Sequence, residues 1–108
     1  MFEYELERNA GEEVSLRLRG DLVLGPPTKR LRACLAALTD RYQTIVIDAS
    51  QVSRVDSAGL GELVRAYADV TAHGGTIRLQ GATKRIRDVL VLSKLTAVFG
   101  EEFVPAVA

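Results

Sequence analysis

The stretch Asp48-Ala49-Ser50-Gln51-Val52-Ser53-Arg54-Val55-Asp56-Ser57-Ala58-Gly59-Leu60-Gly61 decides how this chain is read. It follows Ile45-Val46-Ile47, a short β-branched run that suits a central strand covered on both faces. It leads into a helix expected over 57–72, with a loop running up to Asp56 between the two. Ser57 therefore falls at the junction of strand and helix. The first N–H groups of a helix have no intrahelical acceptor, so the Ser57 hydroxyl can cap them. Those same groups, with the helix dipole, would also favour a phosphate in that place.

Downstream, Leu60, Leu63, Val64, Tyr67 and Thr71 are expected to form the inward face of this helix, and Gly74-Gly75 to stop it. Ile77 and Leu79 alternate with Thr76, Arg78 and Gln80, the period of a strand. Thr83 can cap a last helix running through about 93, with Ile86, Val89 and Leu90 on one face, and Val98-Phe99 is expected as a final short strand. Val91 and Leu92 lie off that inward face, where they could cover a neighbouring element or form part of an interaction patch, with packing the expected use.

Upstream, Gly25-Pro26-Pro27 makes a stiff entry to an amphipathic helix over about 27–40, with Leu31, Cys34, Leu35 and Leu38 on one face. Before it, Phe2, Tyr4 and Leu6 alternate with Glu3, Glu5 and Glu7, and Val14, Leu16 and Leu18 alternate with Ser15, Arg17 and Arg19. Asn9-Ala10-Gly11-Glu12 supplies turn residues between them, so the two strands should form a hairpin whose Glu and Arg side chains meet on the outer face. Strands alternating with helices after a hairpin imply an α/β fold. The sheet is mixed, begun by an N-terminal antiparallel hairpin, with helices packed mainly on one side.

A chain of 108 residues, 47% apolar and 26% charged, fits one domain over 1–108. Lys and Arg balance Asp and Glu at 14 each, which gives no net field to attract nucleic acid or an acidic membrane surface. The charged, alternating N-terminal residues lack the pattern of a secretory signal, and no apolar run is long enough to span a bilayer. The lone Cys34 reads as a reduced core residue, so a cytoplasmic location is expected.

Catalytic and metal chemistry find little support. His73 ends the helix that Ser57 begins, about 24 Å away at about 1.5 Å per residue, so the two cannot act as a pair. Gly59 and Gly61 lack the Lys and Ser/Thr of a nucleotide-binding loop. Ser57 also lacks the glycine two places before it that a nucleophile elbow needs. One histidine and one cysteine make no metal cluster. No enzyme, metal or cofactor is expected.

The segment Val55-Asp56-Ser57-Ala58-Gly59-Leu60-Gly61 resembles the signature of the STAS domain family, in particular the bacterial anti-sigma factor antagonists. The likeness extends to the apolar strand about ten residues before it, to Gly74-Gly75, and to Thr83-Lys84-Arg85-Ile86 leading into Leu95-Thr96-Ala97-Val98-Phe99. The resemblance implies a STAS fold and a phosphorylation-controlled binding protein in bacterial transcription regulation. The unphosphorylated form of such a protein binds an anti-sigma factor serine kinase and so releases a sigma factor. It implies Ser57 as the phosphorylated residue and a phosphatase as a further candidate partner. The alternative reading is a STAS accessory or scaffold subunit that regulates a membrane transporter or a stress-signalling complex.

The candidate partner-binding residues are Asp21, Asp56, Ser57, Ala58, Gly59, Gly61, Glu62 and Arg65. Ala58 leaves no second hydroxyl beside the acceptor. Asp56 could orient the serine or a kinase's magnesium, and its charge also suits a helix N-terminus. Gly59 and Gly61 could admit a partner backbone, while Glu62 and Arg65 are expected to point outward and fix orientation. Relatives often carry Gly-x-Leu-Asp at the end of the second strand, where this chain has Gly20-Asp21-Leu22-Val23. Asp21 is thus not a one-for-one replacement. The following Leu24-Gly25-Pro26-Pro27, unusual as an exposed surface, is expected near Ser57.

Overall fold

The computed structural model describes residues 1–84 and 86–88. In chain order it has β1 (Phe2–Arg8), β2 (Glu13–Leu22), α1 (Pro26–Thr39), β3 (Thr44–Val55), α2 (Ser57–Ala72) and β4 (Thr76–Gln80), and a further helical turn opens at Lys84. The sheet runs β1-β2-β3-β4, with β1 antiparallel to β2 and the other two pairs parallel.

The hairpin forms as the alternation demands. Gly11 takes φ 73° in the turn, and the Asn9 N–H donates to the Glu13 carbonyl at 3.0 Å. The Asn9 side-chain amide donates to Glu13 Oε2 at 2.7 Å and Ser15 Oγ at 2.9 Å. Across the outer face, Arg19 meets Glu5 at 2.6 Å and Glu3 at 3.4 Å, and Arg17 meets Asp48 at 3.5 Å. The inner face carries Val14, Leu16 and Leu18 of β2, Ile45 and Ile47 of β3, and Ile77 and Leu79 of β4, all buried. Leu31, Leu35 and Leu38 of α1 and Leu60, Leu63 and Val70 of α2 join them in one cluster, so both helices cover that face. Cys34 belongs to the same cluster, and burial pushes its thiol pKa up.

Two sequence expectations are corrected. Residues 48–55 are strand, not loop: Gly20 pairs with Val52 after one register shift, Asp21 and Leu22 pair with Arg54 and Val55 after a second, and the buried Ala49 and Val52 hold the extension to the core. The buried face of α2 is also rotated from the expected one. Gly59, Leu60, Glu62, Leu63, Ala66 and Val70 are buried, Val64 and Tyr67 are half-buried, and Thr71 is exposed with its hydroxyl donating to the Tyr67 carbonyl at 2.7 Å. The rotation follows from α1, which packs beside α2 and covers its Glu62 and Ala66 side.

Other boundaries agree closely. α1 begins on Pro26, where proline's missing N–H costs nothing, and α2 ends at Ala72, with Gly74 at φ 77°. Thr83 Oγ1 accepts from the Ile86 N–H at 3.3 Å, as a cap should. The expected strand at Val98-Phe99 and the placements of Val89, Leu90, Val91 and Leu92 lie outside the described residues. Among the described residues no helix is long and apolar enough to cross a membrane.

Candidate functional site

The site is the junction where β3 gives way to α2, beside the end of β2. Leu22 pairs with Val55, and the Asp56 N–H donates to the Leu22 carbonyl at 3.4 Å. Asp56 stays extended (φ −104°, ψ −175°) and the helix begins at the next residue. Its carboxylate makes two bonds with different oxygens: Oδ1 accepts from the Gly59 N–H at 2.8 Å, and Oδ2 from the Leu24 N–H at 3.0 Å. Asp56 therefore caps α2 and also fastens the β2–α1 loop to it. The expectation that Ser57 is the cap is corrected, because Ser57 is already the first helical residue and the carboxylate before it occupies the capping position. Ser57 is exposed, and its hydroxyl has no hydrogen-bond partner among the described residues.

The two N–H donors, Leu24 first and then Gly59, hold the Asp56 carboxyl below its ordinary 3.8. A lowered folded-state pKa means stability that is fully present above the unfolded value and lost as the pH falls through the folded one. The stability difference between the native protein and Asp56→Ala is therefore expected to be constant at neutral pH and to shrink below about pH 4. Urea unfolding of both proteins across that range reads it; a difference that grows in acid would contradict the assignment.

Gly59 is buried against the protein's own chain, since a Cβ there would lie 2.1 Å from the Leu22 carbonyl oxygen. Its role as an opening for a partner backbone is corrected accordingly. Gly61 is exposed with open space about its Cα, and Ala58 is half-buried. Glu62 does not point outward: it is only 7% exposed, turned toward α1, where Arg32 Nε donates to both carboxylate oxygens at 3.1 and 3.3 Å and Nη2 adds a short contact. Arg65 is exposed and lies 4.0 Å from Asp69 along the helix. Asp21 receives Arg54 in a fork at 3.2 and 3.0 Å and lies 3.7 Å from the N-terminal ammonium, and the Arg54 hydrogen bonds lower its pKa.

The structure thus gathers Leu24, Asp56, Ser57 and Ala58 on one surface, with Asp21 and Arg54 on the neighbouring strand ends. It leaves Glu62 under α1. The loop at Leu24-Gly25 lies beside the junction as expected, with Leu24 76% exposed. Sequence reasoning missed Arg32 and Arg54, whose partners are 30 and 33 residues away and leave no local signature. His73 sits at the far end of α2, with its ring nitrogen 2.7 Å from the Asp69 carbonyl, apart from this surface.

The family model described as "Mlab, STAS domain" matches residues 6–104. No curated protein matches the chain. Among solved structures, the phosphorylated Bacillus cell fate determinant SpoIIAA is similar at 25% identity and a TM-score of 0.73, covering 88% of this chain and 86% of that one. An anti-sigma factor antagonist from Mycobacterium paratuberculosis shares the fold at 21% identity and a TM-score of 0.72, covering 93% and 84%. So does a sulfate transporter family protein from Wolinella succinogenes, at 20% identity and a TM-score of 0.71, covering 82% and 72%.

Proposed function

Because the chain belongs to the STAS domain family, we propose that it works over 1–108 as a single phosphorylation-controlled binding module, an anti-sigma factor antagonist with Ser57 as the phosphate acceptor. The observation that carries this reading is the Ser57 hydroxyl, exposed and unbonded among the described residues, on the first residue of a helix whose capping duty Asp56 has taken over. A hydroxyl in that position is open to another protein's active centre. Phosphorylation adds roughly 1.5 to 2 negative charges there, beside the Asp56 carboxylate and the exposed Leu24, with Asp21 paired to Arg54 on the neighbouring strand ends. The unmodified form is the one that docks an anti-sigma factor kinase; the modified form is repelled, and its fold stays intact because helix N-termini tolerate anions. In this reading the protein is a substrate and a ligand, not an enzyme, acting in the cytoplasm.

The test is intact-mass spectrometry with magnesium-ATP and each anti-sigma factor kinase of the source organism. One phosphoryl group is expected on the native protein and none on Ser57→Ala, with the two proteins equally stable to within about 0.5 kcal/mol. Undiminished incorporation into Ser57→Ala would reject the site. A second reading, an accessory subunit of a transporter or stress-signalling scaffold, is favoured by the fold shared with the sulfate transporter family protein. Co-purification with an ATPase subunit, and no phosphate transfer, would support it.

A further inference from the structure

Among the described residues, Leu24 is the most exposed large apolar side chain after Met1, and its backbone is held rather than loose. Its N–H is fixed by Asp56 Oδ2 at 3.0 Å, across 32 residues of sequence, while the other oxygen of the same carboxylate caps the helix that Ser57 begins. Gly25 continues the loop at φ 117°, a conformation that side-chain-bearing residues rarely adopt, and Pro26 starts α1 directly after it. An aliphatic side chain is thereby presented at a set position next to the serine. The two carboxylates of the junction are committed: Asp21 to Arg54, and Asp56 to two backbone N–H groups. The exposed Lys29 stands one turn into α1, and beside the serine itself the surface offers an aliphatic anchor.

We propose that Leu24 is the apolar anchor by which the protein docks its serine kinase, entering an aliphatic socket on that partner, and that Asp56 is the positioning residue that sets Leu24 beside Ser57. The inference rests on the proposed function for the partner's identity, but the latch itself is a property of this chain alone. A carboxylate has two acceptor oxygens, whereas asparagine has one together with an NH2 that would confront an N–H. In Asp56→Asn the remaining oxygen keeps the local bond to Gly59, three residues away, because asparagine is a good cap and the contact closes no long loop. The Leu24 bond is then lost. Cap and latch are separated in one variant.

Amide hydrogen exchange followed by NMR on the full chain is expected to show Leu24 exchanging about tenfold or more faster in Asp56→Asn, with Gly59 changed by less than about twofold. Equal exchange at Leu24 in both proteins would overturn the latch. In parallel, calorimetry with the anti-sigma factor kinase that phosphorylates the native protein is expected to show about tenfold or more weaker binding by Leu24→Ser, with unchanged thermal stability. Binding of Leu24→Ser as tight as native would overturn the anchor. Failure of the native protein to bind any such kinase would remove the proposed function and the partner assigned to Leu24. The exchange result would then still decide the latch.

Discussion

Gly59→Ala is expected to destabilise the protein by about 3 kcal/mol or more, a fall in melting temperature of more than about 10 °C. The new Cβ would lie 2.1 Å from the Leu22 carbonyl oxygen and 3.0 Å from its carbon, and neither atom can rotate aside as a side-chain tip could. Leu22 cannot retreat alone, because it is buried, pairs with Val55 and offers the same carbonyl to the Asp56 N–H. Relief requires the start of α2 to lift from the end of β2, which strains the Asp56 bonds to Gly59 and Leu24 together. Gly61, two residues on, has open space around its Cα, and Gly61→Ala is expected to raise stability by up to about 1 kcal/mol through helix propensity alone. Thermal unfolding of the two variants by circular dichroism checks both signs. Similar small effects would show that the close approach at Gly59 is not what seats the helix.

Leu63→Ala carries the second large effect, a loss of about 3 kcal/mol in urea unfolding. Leu63 is 1% exposed in the cluster that joins α2 to the sheet, so truncation removes buried contacts and leaves a cavity. Thr71→Ala is the control, expected within about 0.5 kcal/mol, because Thr71 is exposed and alanine is the better helix former. A large loss at Thr71 would restore the helix face read from the sequence and contradict the rotated one.

That rotation shows where the sequence was legible and where it was not. The hairpin, β4 and both helices are local patterns: alternation at Phe2 to Glu7 and Val14 to Arg19, proline at Pro26, and glycine at Gly74. The ends of α2 were readable to the residue for this reason. Which side of α2 is buried depends on α1, and Glu62 is inside because Arg32 waits there, 30 residues away. A glutamate by itself gives no sign of burial, since acids enter the interior only when paired.

The site divides in the same way. The serine's place at the helix start is a local fact and was readable. The cap fell to Asp56 instead of Ser57 because the carboxylate reaches two donors at once, and one of them, Leu24, is brought there only by the pairing of β2 with β3. The extension of β3 through 48–55 was hidden similarly, as Ser50, Gln51, Ser53 and Arg54 read as loop residues until β2 supplies their partners. Gly59 looked like an opening for a partner and proved to be the contact between helix and sheet.

The central claim is that one exposed hydroxyl on a fastened helix start governs docking. Its most direct test is calorimetric titration of the anti-sigma factor kinase with the native protein and with the protein phosphorylated at Ser57. The account predicts binding about tenfold or more weaker for the phosphorylated form, with unchanged circular dichroism. Equal affinity of the two forms would contradict it.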